Sequence, residues 1–441
     1  MCARNKVSLM IPSKYLSTFR VPYHILKLKK SQHQRPSDLE KAQSKKLRKI
    51  VRHTYYHVPY YHFLFKKAGI KPSDIRSATD LTKLPTVSKA EFVQNWGGFI
   101  SNTAHPEKCK IFTTSGTTGT PLRILKNRVT EAIGYALTYY IFFECGMHLT
   151  DSFLELTFAF PSLSKSTFRH GPGKLMKGHY LSVFNDPAAN IEEIIRINPD
   201  VIYSFPSALE YIMEDFGSEI KSLKPRLLFT QGEMLTKKVR KLIENLLNIT
   251  PNDTYGSREF PGIAFECNEH QGLHVIPDWT ILELLKNGEN VGSNEEGETI
   301  ITSLYNYTMP FIRYKLGDLA IWADDECTCG RVWPLLKALK GRLNDTVILP
   351  SRRRIPSVGI EVLIRTVENV KRFQIVQRPN KDIIVKVVVD NKKMQERIRR
   401  EIIRRVKLAC LNEDVDIQVR FVERILPQDS GKIPQFIREA S

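Results

Sequence analysis

The sequence predicts an α/β protein in two parts. A large N-terminal domain of mixed sheets with helices and a β-rich subdomain is followed by a small α+β domain in β-α-β-β-α-β order. Three observations predict this. Between Phe153 and Tyr255, strand-like and helix-like segments alternate, the pattern of a sheet with crossover helices. From Gly272 to Ala323, short apolar runs separated by acidic turns read as successive strands. Beyond Gly341-Arg342 the pattern changes again, to a hairpin, two helices and three strands within about 100 residues, enough for a second small domain.

Residues 1–35 are basic and irregular and read as a peripheral arm, and residues 36–341 and 342–441 read as the N-terminal and C-terminal domains. From Leu39 the apolar spacing is helical. His57-Val58-Pro59 interrupts it, because proline disfavours the helical state in the residue before it. Ser88-Lys89-Ala90-Glu91 has the form of a capped helix start. A helix over Thr130–Glu144 and a strand over Phe153–Phe158 follow. IEEIIRIN, PSALEYIMEDF and KKVRKLIENLLN then read as helices between the strands DVIYSF, RLLFTQG and DTYG. The β-rich stretch comprises GLHVIP, TILELL, ETIITSL, FIRY and LAIWA. In the last domain TVILPSRRRIP reads as a hairpin, and VGIEVLIRTVENV and KKMQERIRREIIRRVKLA as helices. RFQIVQRP, DIIVKVVVD and VDIQVRFVE read as strands.

At 441 residues, with 42% hydrophobic and 26% charged residues, the chain can bury a large core. No apolar run approaches the roughly 20 residues that span a bilayer, and the N-terminus has no signal-peptide pattern. Seven cysteines are an odd set for a disulfide framework and point to a reducing, cytoplasmic compartment. The net charge of +19 favours an acidic partner: a polyphosphate, an anionic surface or an acidic carrier protein. A lysine- and arginine-rich organism would give the same balance. Residues 342–441 carry 22 Lys and Arg against 13 Asp and Glu. No nucleic-acid-binding signature accompanies the charge, so no nucleic-acid partner is expected.

Thr113-Thr114-Ser115-Gly116-Thr117-Thr118-Gly119-Thr120-Pro121 offers hydroxyls and amides around two glycines. That chemistry suits a loop around a polyphosphate, although no lysine follows as in the P-loop spacing; alone it also suits a surface linker. Further patches lie at strand ends or loops, where α/β ligand sites form. They are Gln231-Gly232-Glu233, Tyr255-Gly256-Ser257-Arg258-Glu259, Arg313–Asp318, Gly341–Asp345 and Gly431-Lys432. As chemistry they cohere: Tyr255 can stack on a purine, Glu259 can bind Mg²⁺ beside phosphate oxygens, Asp318 and Arg342 can bind ribose hydroxyls, and Lys432 offers a mobile charge.

In this order and spacing the patches resemble the adenylate-forming superfamily of acyl- and aryl-CoA ligases. The resemblance is nearest to the phenylacetate–coenzyme A ligase branch and its relatives in polysaccharide clusters, and it runs from about Ile50 to Lys432. It implies that Thr113, Thr114, Ser115, Gly116, Thr117, Thr118 and Gly119 close over the ATP phosphates. Gly232, Glu233 and Met234 would lie along the adenine, with Tyr255 and its neighbours Gly256 and Ser257 on the other face. Glu259 would hold Mg²⁺, and Asp318 and Arg342 the ribose. The hinge would fall at Asn344, and Lys432, on a mobile C-terminal domain, would bridge carboxylate and α-phosphate. The implied reaction joins a carboxylic acid to AMP with loss of pyrophosphate, then passes the acyl group to CoA, a carrier protein, an amine or a hydroxyl. A protein that binds nucleotide without turnover is the contrasting reading.

Two departures stand out. The expected glycine turn is replaced by Leu349-Pro350-Ser351-Arg352-Arg353-Arg354, which bears on the thioester step. The segment after Phe158 does not match the aryl-binding sequence of phenylacetate ligases, so the acid stays open, as does the oligomeric state; Phe158, Phe160 and Phe205 suit an apolar pocket or plain core. Finally, Cys267, His270, Cys327 and Cys329 form a donor set for tetrahedral structural Zn²⁺, as similar elements do in some members of the branch; unpaired reduced cysteines are the alternative.

Overall fold

The structure, a computed structural model, describes residues 20–113, 122–157, 165–170, 176–182, 187–342, 346–351, 354–357, 360, 363–364, 367–389, 394–410, 413–426 and 435–439. The chain divides into two compact units, one ending at Lys340 and the other beginning at Gly341.

The first unit opens with α1 (Arg20–Ser31), α2 (Pro36–His57) and α3 (Pro59–Lys67). The irregular arm expected over residues 1–35 is therefore a docked helix from Arg20 on. Val21, His24, Ile25 and Leu28 recur at helical spacing, and Val21 and Leu28 are fully buried. The tyrosine hydroxyl of Tyr140 donates to Gln32 Oε1 at 2.5 Å, and Gln32 Nε2 donates to Glu144 at 2.9 Å. Val58 is extended between α2 and α3, with Pro59 at the first helical position. Ser88 caps α4 (Lys89–Gln94) in a reciprocal capping box with Glu91.

A hairpin of β1 (Lys110–Thr113) and β2 (Arg123–Lys126) leads into α5 (Arg128–Glu144), whose first turn is capped by Asn127 Oδ1, which accepts from Thr130 N at 2.9 Å. The alternating segment follows: β3 (Ser152–Thr157), β4 (Lys165–His170), β5 (Met176–Ser182), α6 (Pro187–Ile197), β6 (Val201–Ser204), α7 (Pro206–Ile220), β7 (Leu227–Gln231), α8 (Lys237–Leu247) and β8 (Asn252–Tyr255). Strands β5, β3, β6, β7 and β8 run parallel in that spatial order. Alternation divides their side chains between two faces. Leu154, Leu156, Ile202 and Leu228 pack in one core with residues of α6, α7 and α8. On the other face Phe142 of α5 meets Phe153, Tyr203 and Phe229 with ring centroids 4.6–5.4 Å apart.

The β-rich stretch gives β9 (Ala264–Glu266), β10 (Leu273–Val275), β11 (Thr280–Lys286), β12 (Glu289–Asn290), β13 (Glu296–Ser303), β14 (Tyr314–Trp322) and β15 (Leu335–Arg342). Among the described residues these join the same sheet, in the order β12-β11-β13-β14-β15-β10-β9-β8-β7-β6-β3-β5-β4. FIRY and LAIWA are not two strands flanking a loop, because Tyr314–Trp322 is continuous. The register against β13 shifts between Glu298 and Ile300, and Gly317 takes φ +87°, so the polar run is accommodated as a bulge within a strand.

In the second unit β16 (Thr346–Ile348) and β17 (Arg354–Pro356) form the expected hairpin. β18 (Val370–Gln377), β19 (Ile383–Val389), β20 (Ile417–Phe421) and β21 (Phe436–Arg438) form a sheet in the order β20-β19-β18-β21. Helix α9 (Gln395–Ala409) buries Ile398, Ile402 and Val406 on one face and leaves its arginines outside. Strand β21 was not anticipated, being only three residues long. Much of the helix expected over VGIEVLIRTVENV lies outside the described residues, although Ile360 and Ile364 are in the core. No described helix is long and apolar enough to cross a membrane.

Candidate functional site

The parallel strands deliver several of the sequence-selected residues to one end of the sheet. Tyr255 closes β8, buried to 7% exposure, and its hydroxyl donates to Asp318 Oδ2 at 2.8 Å across 63 residues of chain. The bulge in β14 is what makes this meeting local: Asp318 directly follows Gly317, and its own carbonyl accepts from Thr299 Oγ1 at 3.1 Å. Gly232 follows β7 at φ +70°, and a Cβ there would stand 2.7 Å from the Phe205 ring. Only glycine fits that turn. Glu233 and Met234 continue from it, half-buried.

Gly256 is equally constrained, since a Cβ would meet the backbone N of Gly262 at 3.0 Å. Ser257 N donates to the carbonyl of Phe260 at 2.9 Å, and Phe260 N donates back to Ser257 Oγ at 3.2 Å. This tight turn fixes Glu259, which is buried to 8% exposure and accepts from Tyr314 hydroxyl at 3.2 Å. Beside it stands a residue the sequence reading passed over, Lys126 of β2. Its ammonium donates to the Arg258 carbonyl at 2.6 Å and lies 5.0 Å from the Phe112 ring centroid. Burial pulls the lysine down to about 8, with the Glu259 carboxylate pulling the other way. A buried carboxylate and a buried ammonium thus act on each other at the turn that follows Tyr255. A buried Lys in a strand reading RILK carried no motif, so sequence pattern had no means of singling it out.

Thr113 ends β1, paired with Arg123. Thr114, Ser115, Gly116, Thr117, Thr118, Gly119, Asn344 and Lys432 lie outside the described residues, as do Phe158 and Phe160. Arg342 is the last residue of β15.

The cysteine cluster takes a different imidazole from the one the sequence predicts. Cys267, Cys327 and Cys329 do come together, but the imidazole among them is His274, not His270. The four donor atoms lie within 4.8 Å of one another. Cys267 Sγ stands 3.6 Å from Cys327 Sγ, and His274 Nε2 stands 3.3 Å from Cys329 Sγ. Tetrahedral zinc with bonds of about 2.3 Å separates its sulfurs by about 3.8 Å, so the donor set fits the metal. The physical reason lies in the turn: His270 takes φ +51°, and its ring faces Glu266 at 3.5 Å. His274 is two residues into β10, where pairing with Phe265 and Leu335 directs its side chain to the cluster. Strand alternation in GLHVIP was the available signal.

Residues 347–439 match the CapK C-terminal domain family. Phenylacetate-coenzyme A ligase of Thermus thermophilus is 25% identical over 358 residues, covering 77% of this chain and 78% of that protein. Protein CapK of Staphylococcus aureus is 22% identical over 409 residues, covering 90% and 88%. Among solved structures, a 2-hydroxyisobutyryl-CoA ligase in the postadenylation state, in complex with 2-HIB-AMP, superposes with a TM-score of 0.74 at 19% identity, covering 93% of this chain and 92% of that one. That likeness is one of fold. The sequence relatives, the matched domain and the fold agree with the ordered motifs: the chain resembles the adenylate-forming superfamily, in the branch that holds the phenylacetate–coenzyme A ligases and CapK.

Proposed function

We propose that this protein is an ATP-dependent, AMP-forming acid–thiol ligase. It activates an organic carboxylic acid as an acyl-adenylate with release of pyrophosphate and passes the acyl group to a thiol, coenzyme A. The observation that carries this reading is the bond between Tyr255 and Asp318, which unites two motifs of the nucleotide site. Tyr255 lends its ring to the adenine and its hydroxyl to the orientation of Asp318, whose carboxylate takes the ribose hydroxyls together with Arg342. Gly232, Glu233 and Met234 edge the base. Thr113–Gly119 hold the phosphates.

Glu259 would hold Mg²⁺, which would supply charge neutralisation on the phosphate oxygens. Lys126, beside Glu259, adds a fixed positive charge on the same side. Lys432, in the second unit, serves the adenylation step, and Asn344 is the hinge. Zinc on Cys267, His274, Cys327 and Cys329 would staple the turn after β9 to the turn before β15 and take no part in chemistry. An acidic carrier protein is a second acceptor that the basic second unit suits.

The test is carboxylate-dependent ATP–pyrophosphate exchange over aryl, fatty and hydroxy acids, followed by addition of CoA. Exchange that needs Mg²⁺ and falls at least about 10²-fold in Lys432→Ala is expected. Absence of exchange across the panel, or full exchange in that variant, would overturn the reading.

A further inference from the structure

A second polar cluster lies beside the nucleotide motifs, and no role assigned so far uses it. Glu155, in the middle of β3, is 1% exposed, and its Oε2 has no hydrogen-bond partner among the described residues. Its neighbour across the ladder is Tyr203 of β6, in register with it. The Tyr203 hydroxyl donates to Gln231 Oε1 at 2.5 Å, and Gln231 Nε2 is buried without a partner among the described residues. The three residues share one face of three adjacent parallel strands, β3, β6 and β7, whose C-terminal ends are where ligands of such sheets bind.

Burial pushes the Glu155 carboxyl up to about 8, opposed only by the Arg258 guanidinium. Arg258, exposed at the turn after β8, is among the described residues the one cation whose charge acts on Glu155. It also adjoins Glu259 in the chain. The Arg258 charge therefore acts on both carboxylates, Glu259 and Glu155.

An unpaired buried acceptor or donor costs about 1–3 kcal/mol, and two on one face of the same three strands point to a missing partner. One free group is a carboxyl oxygen and the other an amide N–H. A hydroxyl satisfies both at once, donating to the first and accepting from the second. An ammonium would pair with the carboxyl but turn its N–H bonds against the amide donor. A hydrocarbon would satisfy neither.

We infer that Glu155, Tyr203 and Gln231 form the far wall of the acyl-binding site and select an acid that carries a hydroxyl group. The inference rests on the ligase reading above. Glu155 and Gln231 grip the hydroxyl, and Tyr203 positions Gln231. Sites built to bond a substrate hydroxyl reject the analogue without it far more strongly than apolar pockets reject a change of size.

The test compares matched acids in pyrophosphate exchange with the full-length protein: 3-hydroxybutyrate with butyrate, 4-hydroxybenzoate with benzoate, 4-hydroxyphenylacetate with phenylacetate, and the amino counterpart of each. For at least one set, kcat/KM of the hydroxy acid should exceed that of the deoxy acid by tenfold or more. Glu155→Leu should bring that ratio to about one. A merely structural Glu155 would lower all acids alike and leave the ratio unmoved, which overturns the assignment. Preference for the deoxy or the amino acid in every set overturns it as well, with the ligase reading intact. Exchange with no acid at all removes the ligase reading, and the inference with it. Should Glu155→Leu fail to fold, the wild-type ratios decide, together with Gln231→Leu.

Discussion

The Glu155 carboxyl predicts a stability signature that depends on pH. Burial raises its pKa from 4.5 to about 8, with Arg258 opposing. The folded chain therefore keeps a proton that the unfolded chain has lost. Stability from that proton is fully present below pH 4.5 and is lost as pH rises through 8. At 1.36 kcal/mol per unit the whole loss is about 5 kcal/mol, with about 3 kcal/mol gone by pH 7. Glu155→Gln preserves shape and bonding capacity without the titration. Its melting temperature minus that of the wild type should therefore climb with pH. For a unit of this size one kcal/mol moves the midpoint by roughly 1.5 °C, so the difference should grow by about 4 °C between pH 5 and pH 7. Melting curves of both proteins at pH 5, 7 and 8.5 measure it. A difference that stays flat over this range means that Glu155 is solvated or paired, which refutes its burial and with it the floor of the acyl site.

Three other outcomes follow from single contacts. Tyr255→Phe keeps the ring and removes the bond to Asp318; KM for ATP in the exchange assay should rise about 5- to 10-fold, and an unchanged KM would show that the bond does not orient Asp318 for ribose. Metal analysis of the purified protein should find about one zinc per chain, retained in His270→Ala and lost in His274→Ala and Cys329→Ser; the reverse pattern of the two histidines would restore His270 as the ligand. Arg313→Met strands the buried Glu283 carboxylate, now paired at 2.9 Å with both side chains under 8% exposed, and should cost about 3–5 kcal/mol in chemical denaturation.

Most of the architecture was legible because the parallel strands and their crossover helices write distinct periods into the chain. The runs DVIYSF and RLLFTQG sit almost as read, and the Ser88 and Glu91 pair caps its helix. What escaped was decided by tertiary contact. Arg20–Ser31 reads as a basic arm until α5 supplies Tyr140 and Glu144 for Gln32 to bond. The break expected near Gly317 is absorbed by a bulge, because the flanking residues have β13 to pair with. In the site, glycine and hydroxyl motifs announced themselves through composition. Lys126, Glu155 and Tyr203 are single polar letters in apolar strands, visible as chemistry only once their neighbours are placed.

Placement also separates functional charge from structural charge. Asp253 is buried like Glu155, and burial pushes it up to about 7. Its environment is complete, however: Oδ1 accepts from Thr230 Oγ1 at 2.6 Å and from Thr254 N at 3.1 Å. The neighbouring Glu266 is clamped by Arg240 at 2.8 and 3.0 Å and accepts from Asp253 N at 3.0 Å. The charges of that network are paired with one another, which is how a scaffold tolerates buried charge. Glu155 and Gln231 stand two strands apart on the same face of the sheet, each with one polar atom unpaired among the described residues. A fold that satisfies Asp253 so fully had the means to satisfy Glu155. That it leaves these two atoms unpaired among the described residues is the physical ground for assigning them to the substrate.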